Sequence, residues 1–123
     1  MKKATVILII MITVAFSLKE ADTASVIIKG KASWYSQSDP GILLTTANME
    51  RFDDSELTCA VWDMPFNTIL KVTNLENSKT VIVRVNDRGP AKRLNRPIDL
   101  TKEAFSRIAD LDKGLADVSV EIM

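Results

Sequence analysis

Histidine is absent from the 123 residues, and cysteine occurs once, as Cys59. Without histidine, the chain has no base for a Ser-His-Asp or Cys-His hydrolase and no imidazole ligand for zinc. A single cysteine cannot form an internal disulfide, so the core alone must stabilise the fold. We expect Cys59 to be a small buried side chain. Acid–base chemistry therefore falls to Asp, Glu, Lys or Tyr.

An excess of charge of one sign is also lacking, because sixteen Lys+Arg balance sixteen Asp+Glu. A protein that binds nucleic acid needs a concentrated basic face, and the only dense basic stretch is 88–96. The sequence has neither a glycine-rich phosphate loop nor a cluster of metal ligands. We therefore expect no nucleic-acid partner, no cofactor and no metal.

The N-terminus has the pattern of a secretory leader. Lys2 and Lys3 precede an apolar run over 4–16, which is shorter than the ~20 residues of a membrane-spanning helix. We predict a signal peptide and short linker over 1–24 and a single domain over 25–123. The cleavage site is undefined, and an uncleaved anchor stays open. No cysteine is available there for a lipid anchor, so we expect export to the periplasm or cell envelope, with no membrane contact once the leader is removed.

The remainder of the chain has the pattern of a mainly β domain. Alternation is strongest over 80–86, where every second residue is valine, and a hairpin turn is predicted at 76–78. Thr101 can cap a helix whose apolar stripe runs through Ala104, Phe105, Ile108 and Ala109. Further strands are predicted at 26–35 (interrupted by Gly30), 57–61, 68–74, 97–100 and 118–122. A small closed barrel would bury such strands and hide their edges.

Four strings along the chain resemble one family, that of the RlpA-like double-psi β-barrels, and the resemblance covers 29 to about 122. The strings are Ala32-Ser33-Trp34-Tyr35; Thr46-Ala47-Asn48-Met49-Glu50-Arg51-Phe52; Pro65-Phe66-Asn67-Thr68 with Val72-Thr73-Asn74-Leu75; and Val83-Arg84-Val85-Asn86-Asp87-Arg88-Gly89-Pro90 with Ile98-Asp99-Leu100. The resemblance implies a six-stranded double-psi β-barrel with one or two short helices, related in shape to expansin and barwin domains.

The resemblance also implies a function, endolytic lytic transglycosylase activity on peptidoglycan. Such enzymes cut the MurNAc–GlcNAc bond without water and leave a 1,6-anhydro-MurNAc end. The expected substrate is a naked glycan strand, stripped of its stem peptides, and the expected role is cell-wall remodelling. We expect the protein to be a monomer.

Two acids match the conserved acids of the family. Breaking a glycosidic bond requires a proton on the leaving oxygen and support for an oxocarbenium-like centre. We assign Asp87 as principal acid and base, and Glu50 as the group that orients substrate or stabilises charge, with the reverse assignment open. From the residues alone, Asp87 could instead organise the turn after it, and Glu50 could be an exposed loop acid.

Further residues in the strings are candidates for substrate binding. Trp34 and Tyr35 could form an aromatic platform for sugar rings, although core packing is an equal alternative. Arg88 could hold a substrate carboxylate or fix Asp87. Thr46 and Asn86 are the remaining candidates for substrate binding. Asp99 is interpreted as a structural partner of the loop that carries Arg88, or as a helix-start residue.

The chain departs from the family at several positions near these acids. Val61 stands where the family carries histidine, Met49 and Asn67 replace glycines, and Leu43-Leu44 replace a glycine and a basic residue. A non-catalytic barrel that binds glycan is therefore the alternative function. A secreted inhibitor or effector on a barwin-like scaffold is a third, weaker alternative, because those domains usually carry disulfides.

Overall fold

The computed structural model describes residues 26–123, so the predicted leader lies outside the described residues. Within that range no helix is long and apolar enough to cross a membrane. The strands are β1 (Ile27–Tyr35), β2 (Thr58–Ala60), β3 (Ile69–Asn74), β4 (Thr80–Asp87), β5 (Ile98–Thr101) and β6 (Ala116–Ile122). One α-helix, α1 (Lys102–Ser106), and two 3-10 turns, Lys92–Leu94 and Leu111–Lys113, complete the set.

The six strands form one closed barrel in the order β1-β5-β2-β4-β3-β6. Two pairs are parallel, β1 with β5 and β2 with β4, and the other four are antiparallel. Closure pairs both edges of each of these strands, which removes the exposed edges that would invite aggregation. The predicted mainly β, six-stranded barrel is confirmed.

The strand from 80 to 87 shows why period-2 alternation predicted this fold well. Val81, Val83 and Val85 are buried, whereas Ile82 between them is 43% exposed. The hairpin turn predicted at 76–78 joins β3 to β4. Ser78 closes it in the left-handed region at φ 64°, with its N–H donated to the carbonyl of Asn74 at 2.8 Å.

The strand β1 runs unbroken through Gly30, so the interruption predicted there is wrong. A Cβ atom at Gly30 would lie 2.8 Å from the ring carbons of Pro97. Glycine at this position therefore reflects a close approach between β1 and the segment before β5, and not a break in the strand.

The helix is capped as predicted but is short. Thr101 Oγ1 accepts the N–H of Ala104 at 3.3 Å and donates to the carbonyl of Glu56 at 2.6 Å. Ala104, Phe105 and Ile108 are buried, although Ile108 lies beyond the end of the helix. The side-chain amides of Asn74 and Asn77 donate to the Ile108 carbonyl and fix the chain where the helix ends.

The core has a main cluster inside the barrel and a smaller second cluster. The second cluster contains Tyr35, Phe52 and Ala60, with Ile42 packed against it. The rings of Tyr35 and Phe52 stack in parallel with centroids 4.7 Å apart. This pair attaches the irregular segment 41–54 to the barrel at the end of β1, next to the candidate site.

Candidate active site

Asp87, the last residue of β4, joins three parts of the chain. Its Oδ1 accepts the backbone N–H groups of Ala47 and Arg88, each at 2.9 Å, and its Oδ2 lies 3.5 Å from the Tyr35 hydroxyl. The carboxylate therefore organises the turn after it and also holds the loop 45–51. The structural role and the functional role proposed from sequence are both compatible with this geometry.

Glu50 lies in the same loop and is held as an ion. Arg84 donates to both of its carboxylate oxygens, at 2.7 and 2.9 Å, and the amides of Asn48 and Asn86 donate at 2.6 and 3.3 Å. These hydrogen bonds, chiefly those from Arg84, lower the pKa of Glu50 to about 2. Glu50 therefore supplies charge at neutral pH and has no proton to donate.

Asp99 on β5 differs from Glu50, because its pKa is raised and not lowered. Burial raises its pKa to about 6, although the Ser33 hydroxyl donates to its Oδ1 at 3.1 Å. The interpretation of Asp99 as a helix-start residue is wrong, and no hydrogen bond within residues 26–123 joins Asp99 to Arg88, although Arg96 of the same loop lowers the pKa of Asp99. The Arg88 guanidinium donates to backbone carbonyls elsewhere, and Thr101 caps the helix.

The barrel places Asp87 and Asp99 on opposite sides of one residue. Ala60 of β2 is paired with Asp87 on β4 and with Asp99 on β5. Neighbouring strands lie about 4.8 Å apart, so the two acids flank β2. Ala60 is buried and small, and the charge of Asp87 contributes to the raised pKa of Asp99. The two carboxyl groups belong to one electrostatic environment.

The residues predicted to bind substrate are mostly engaged within the protein. Thr46 is buried and hydrogen-bonded to Asn48 and Glu50, so it shapes the loop. Asn86 is buried beside Glu50, and its Oδ1 has no partner within residues 26–123. Arg88 donates to the carbonyls of Val61 and Met64 and lies 3.8 Å above the Phe66 ring. Its guanidinium is therefore directed away from Asp87.

The two aromatic candidates do not form an open platform. Tyr35 is buried against Phe52, and burial together with the Asp87 carboxylate raises the pKa of its phenol. Tyr35 therefore stays protonated and can donate a hydrogen bond. Trp34 packs against the main core, and its indole N–H donates to the carbonyl of Leu111 at 3.1 Å. Core packing, the alternative weighed for this pair, describes both rings.

A cleft of about 710 Å³ opens beside Asp87. Its apolar rim includes Leu43 and Met49, which are 77% and 81% exposed. Met49 adopts the left-handed region at φ 72°, and Asn67 does so at φ 71°. A positive φ is the conformation that glycine adopts most readily, and the resemblance implied glycine at both positions. The cleft is lined by Gly41, Ile42, Leu43, Thr45, Thr46, Ala47, Met49, Asp87 and Arg88.

Sequence reasoning missed the role of Arg84 and the environment of Asp99. Arg84 shares the outer face of β4 with Asn86, which was the available signal for an ion pair with a nearby acid. Nothing in the local sequence of Asp99 indicates burial. Cys59 is buried as expected, and burial raises the pKa of its thiol, so it is no nucleophile at neutral pH.

Comparison with known proteins agrees with this architecture. Residues 27–120 match the family described as "Lytic transglycolase". The endolytic peptidoglycan transglycosylase RlpA of Campylobacter jejuni is 48% identical over 94 residues, which cover 76% of this chain and 33% of that protein. The probable endolytic peptidoglycan transglycosylase RlpA of Treponema pallidum is 43% identical over 95 residues, covering 77% and 29%. The chain thus spans about a third of the length of these relatives.

Solved structures show the same fold at low sequence identity. A Streptomyces papain inhibitor superposes with a TM-score of 0.63 at 23% identity, covering 78% of this chain and 93% of that one. An expansin of Clavibacter michiganensis superposes with a TM-score of 0.62 at 22% identity, covering 80% and 51%. With the family match over most of the described residues, these findings establish that the chain belongs to the RlpA-like lytic transglycosylase family of double-psi β-barrels.

Proposed function

We propose that the protein is a peptidoglycan lytic transglycosylase that cuts MurNAc–GlcNAc bonds and uses Asp87 as its acid and base. The observation that carries this proposal is the position of Asp87 at the cleft. Among the acids of residues 26–123, Asp87 is the one that lines it. The names of the relatives support the reaction class and do not favour a role limited to binding.

One carboxyl group in this position can perform both proton transfers. Protonated Asp87 donates its proton to the glycosidic oxygen as the bond to the MurNAc anomeric carbon breaks. The resulting carboxylate then accepts the proton of the 6-hydroxyl of the same sugar as that oxygen bonds to the anomeric carbon. The products are a free GlcNAc end and a 1,6-anhydro-MurNAc end, and no water is consumed.

Two neighbouring groups support Asp87 in this cycle. The Tyr35 hydroxyl, kept protonated by burial, can donate to Oδ2 whenever Asp87 is ionised. Asp99 lies across β2 in the same electrostatic environment, and its pKa is raised to about 6. Val61, in the position of the family histidine, cannot take part in proton transfer, and this cycle does not require it.

Glu50 has a positioning role in this proposal. Its ion pair with Arg84 ties the loop 45–51 to β4, and that loop forms one wall of the cleft. The backbone N–H of Ala47 in the same loop holds Asp87 Oδ1. Loss of the ion pair would therefore move both the cleft wall and a hydrogen-bond donor to the catalytic carboxylate.

The finer parts of the proposal are the naked glycan substrate, metal independence and export. The leader pattern over 1–24 supports processing of the chain at the cell envelope. Export predicts that the protein recovered from the envelope fraction lacks the leader, which N-terminal sequencing checks. Full-length protein held in the membrane fraction would instead indicate an uncleaved anchor.

The decisive test is digestion of amidase-stripped peptidoglycan, followed by mass spectrometry of the soluble products. We expect anhydro-MurNAc-ended fragments from wild type, none from Asp87→Ala, and reduced amounts from Glu50→Ala. Glu76→Gln, an exposed acid in the β3–β4 turn, is the matched control and should leave product formation unchanged. Wild type that binds the stripped glycan but releases no fragments would refute the proposal and favour a glycan-binding barrel.

A further inference from the structure

A second groove, of about 820 Å³, lies beside Trp62 and does not include Asp87. Its walls come from β1, from the segment that follows β2, and from the segment 92–97. The basic stretch 88–96 stood out in the sequence, and the cycle described for Asp87 makes no use of its cations. The groove is lined by Lys29, Gly30, Lys31, Trp62, Asp63, Lys92, Leu94, Asn95, Arg96, Pro97 and Leu115.

Trp62 is held at one edge while part of its ring remains open. Its indole N–H donates to the carbonyl of Pro90 at 2.5 Å, and the side chain is 41% exposed. Lys92 Nζ lies 5.2 Å from the ring centroid, within the range of a cation–π contact. An indole fixed in this way is suited to stacking against the face of a ring.

The charges of the groove are strongly unbalanced. Four cations, Lys29, Lys31, Lys92 and Arg96, line it together with one acid, Asp63. Lys31 bonds to Asp117 at 2.7 Å, whereas the other three cations form no salt bridge within residues 26–123. Because the whole chain is neutral, this clustering leaves a local positive field that favours an anionic ligand.

The groove adjoins the loop that carries Asp87. The N–H of Val61, next to Trp62, donates to the Asp87 carbonyl at 3.1 Å. Pro90, which Trp62 contacts, follows Asp87 by three residues, and such a segment spans at most about 10 Å. Trp62 therefore lies within the length of a short oligosaccharide from Asp87.

We propose that this groove binds a carboxylate-bearing sugar of the glycan strand, with the sugar ring on Trp62 and the carboxylate beside Lys92 and Arg96. This inference rests on the proposed function. The ionised group of a peptidoglycan backbone is the lactyl carboxylate of MurNAc, which is free once the stem peptide has been removed. An amide-linked stem peptide removes this carboxylate from the sugar, so the groove would recognise MurNAc residues whose lactyl group is free.

The test compares two oligosaccharides of equal length by isothermal titration calorimetry. One is a GlcNAc–MurNAc oligosaccharide with free lactyl groups, and the other is the chitooligosaccharide, which lacks them and is neutral. The purified protein carries Asp87→Asn to prevent turnover. We expect tighter binding of the charged oligosaccharide at low salt and a difference that shrinks as salt is raised.

Variants of the lining residues test whether the difference in affinity arises in the groove. The double variant Lys92→Gln/Arg96→Gln should weaken binding of the charged oligosaccharide by about two- to fivefold per charge removed and leave chitooligosaccharide binding unchanged. Trp62→Ala should weaken both by about 30-fold, as expected for an aromatic anchor, whereas Trp62→Phe should recover part of the loss. Lys79→Gln, a cation in the β3–β4 turn, is the matched control and should behave as the parent.

Equal affinity for the two oligosaccharides, or charged-oligosaccharide binding that is insensitive to the double variant, would overturn the proposal. Calorimetry measures binding without cleavage, so the proposal for the groove and the proposal for the lytic activity are tested independently. Charge-dependent binding without anhydro products would refute only the lytic activity. Anhydro products together with charge-insensitive binding would refute only the groove.

Discussion

Replacing Asp99 by asparagine should stabilise the protein at neutral pH. Burial raises the pKa of Asp99 from 3.8 to about 6, so its ionised form is disfavoured in the folded state. The folded protein binds the proton more tightly than the unfolded chain does between these values, and stability therefore falls as pH rises through this window. The pKa difference corresponds to a cost of about 3 kcal/mol above pH 6, which vanishes below pH 4.

Urea unfolding from pH 4 to pH 7.5, followed by tryptophan fluorescence, measures this cost. The free energy of unfolding of wild type should fall by about 2.5 kcal/mol between pH 4 and pH 7 relative to that of Asp99→Asn. Asparagine has nearly the same shape and can still accept the Ser33 hydroxyl, so packing is preserved. The neighbouring charges that modulate the effect are Arg96, Asp39 and Asp87, and both proteins retain them.

The Ser33→Ala variant provides a second test of the pKa of Asp99. The serine hydroxyl lowers the pKa of Asp99, so its removal should raise that pKa further and move the stability loss to higher pH. Parallel stability profiles for wild type and Asp99→Asn from pH 4 to pH 7 would refute the reasoning, because they would show that Asp99 titrates as it does in the unfolded chain.

Four further predictions concern the cleft loop, the helix and the site. Glu50→Gln should cost no more than about 1 kcal/mol at pH 7, since the pair with Arg84 is partly exposed, and the wild-type advantage should disappear as pH falls from 4.5 to 2 in urea titrations. Met49→Gly should raise the thermal midpoint by relieving about 1 kcal/mol of left-handed strain, and a lower midpoint would contradict this. Thr101→Ala should cost about 1–3 kcal/mol in the same scans, because it removes the helix cap and leaves the Glu56 carbonyl unpaired. The proposed transglycosylase activity should survive EDTA, and its loss on EDTA treatment would indicate a metal.

The local patterns were sufficient for most of the fold. Alternating valines in β4, the turn at 76–78 and the Thr101 cap depend on neighbours within a few residues, where side-chain period and backbone preference act directly. The prediction at Gly30 was wrong because a glycine within a strand can mark either an interruption of the strand or the close approach of another segment. Only the position of Pro97, 67 residues further along the chain, shows that close packing is the one used here.

The sequence named Asp87 and Glu50 as candidate site residues but did not indicate the electrostatics around them. The family strings led to Asp87 and Glu50, and the fold brings the loop of one against the side chain of the other. The ionisation of Glu50 depends on Arg84, which is 34 residues away, and the raised pKa of Asp99 depends on burial between β1 and β2. A pKa is a property of the surroundings of a group, so no local string could indicate either value.

The sequence by itself determined the strand pattern, the lack of histidine chemistry, the family and the two candidate acids, because each of these resides in residue types and their spacing. Only the tertiary structure decided which acid lines a cleft, which is held ionised and which is partly buried with a raised pKa. It also gathered Lys29 of β1 and Arg96 of the 92–97 segment around Trp62. Barrel closure brings residues distant in sequence within a few ångströms, where Coulomb forces and desolvation become strong.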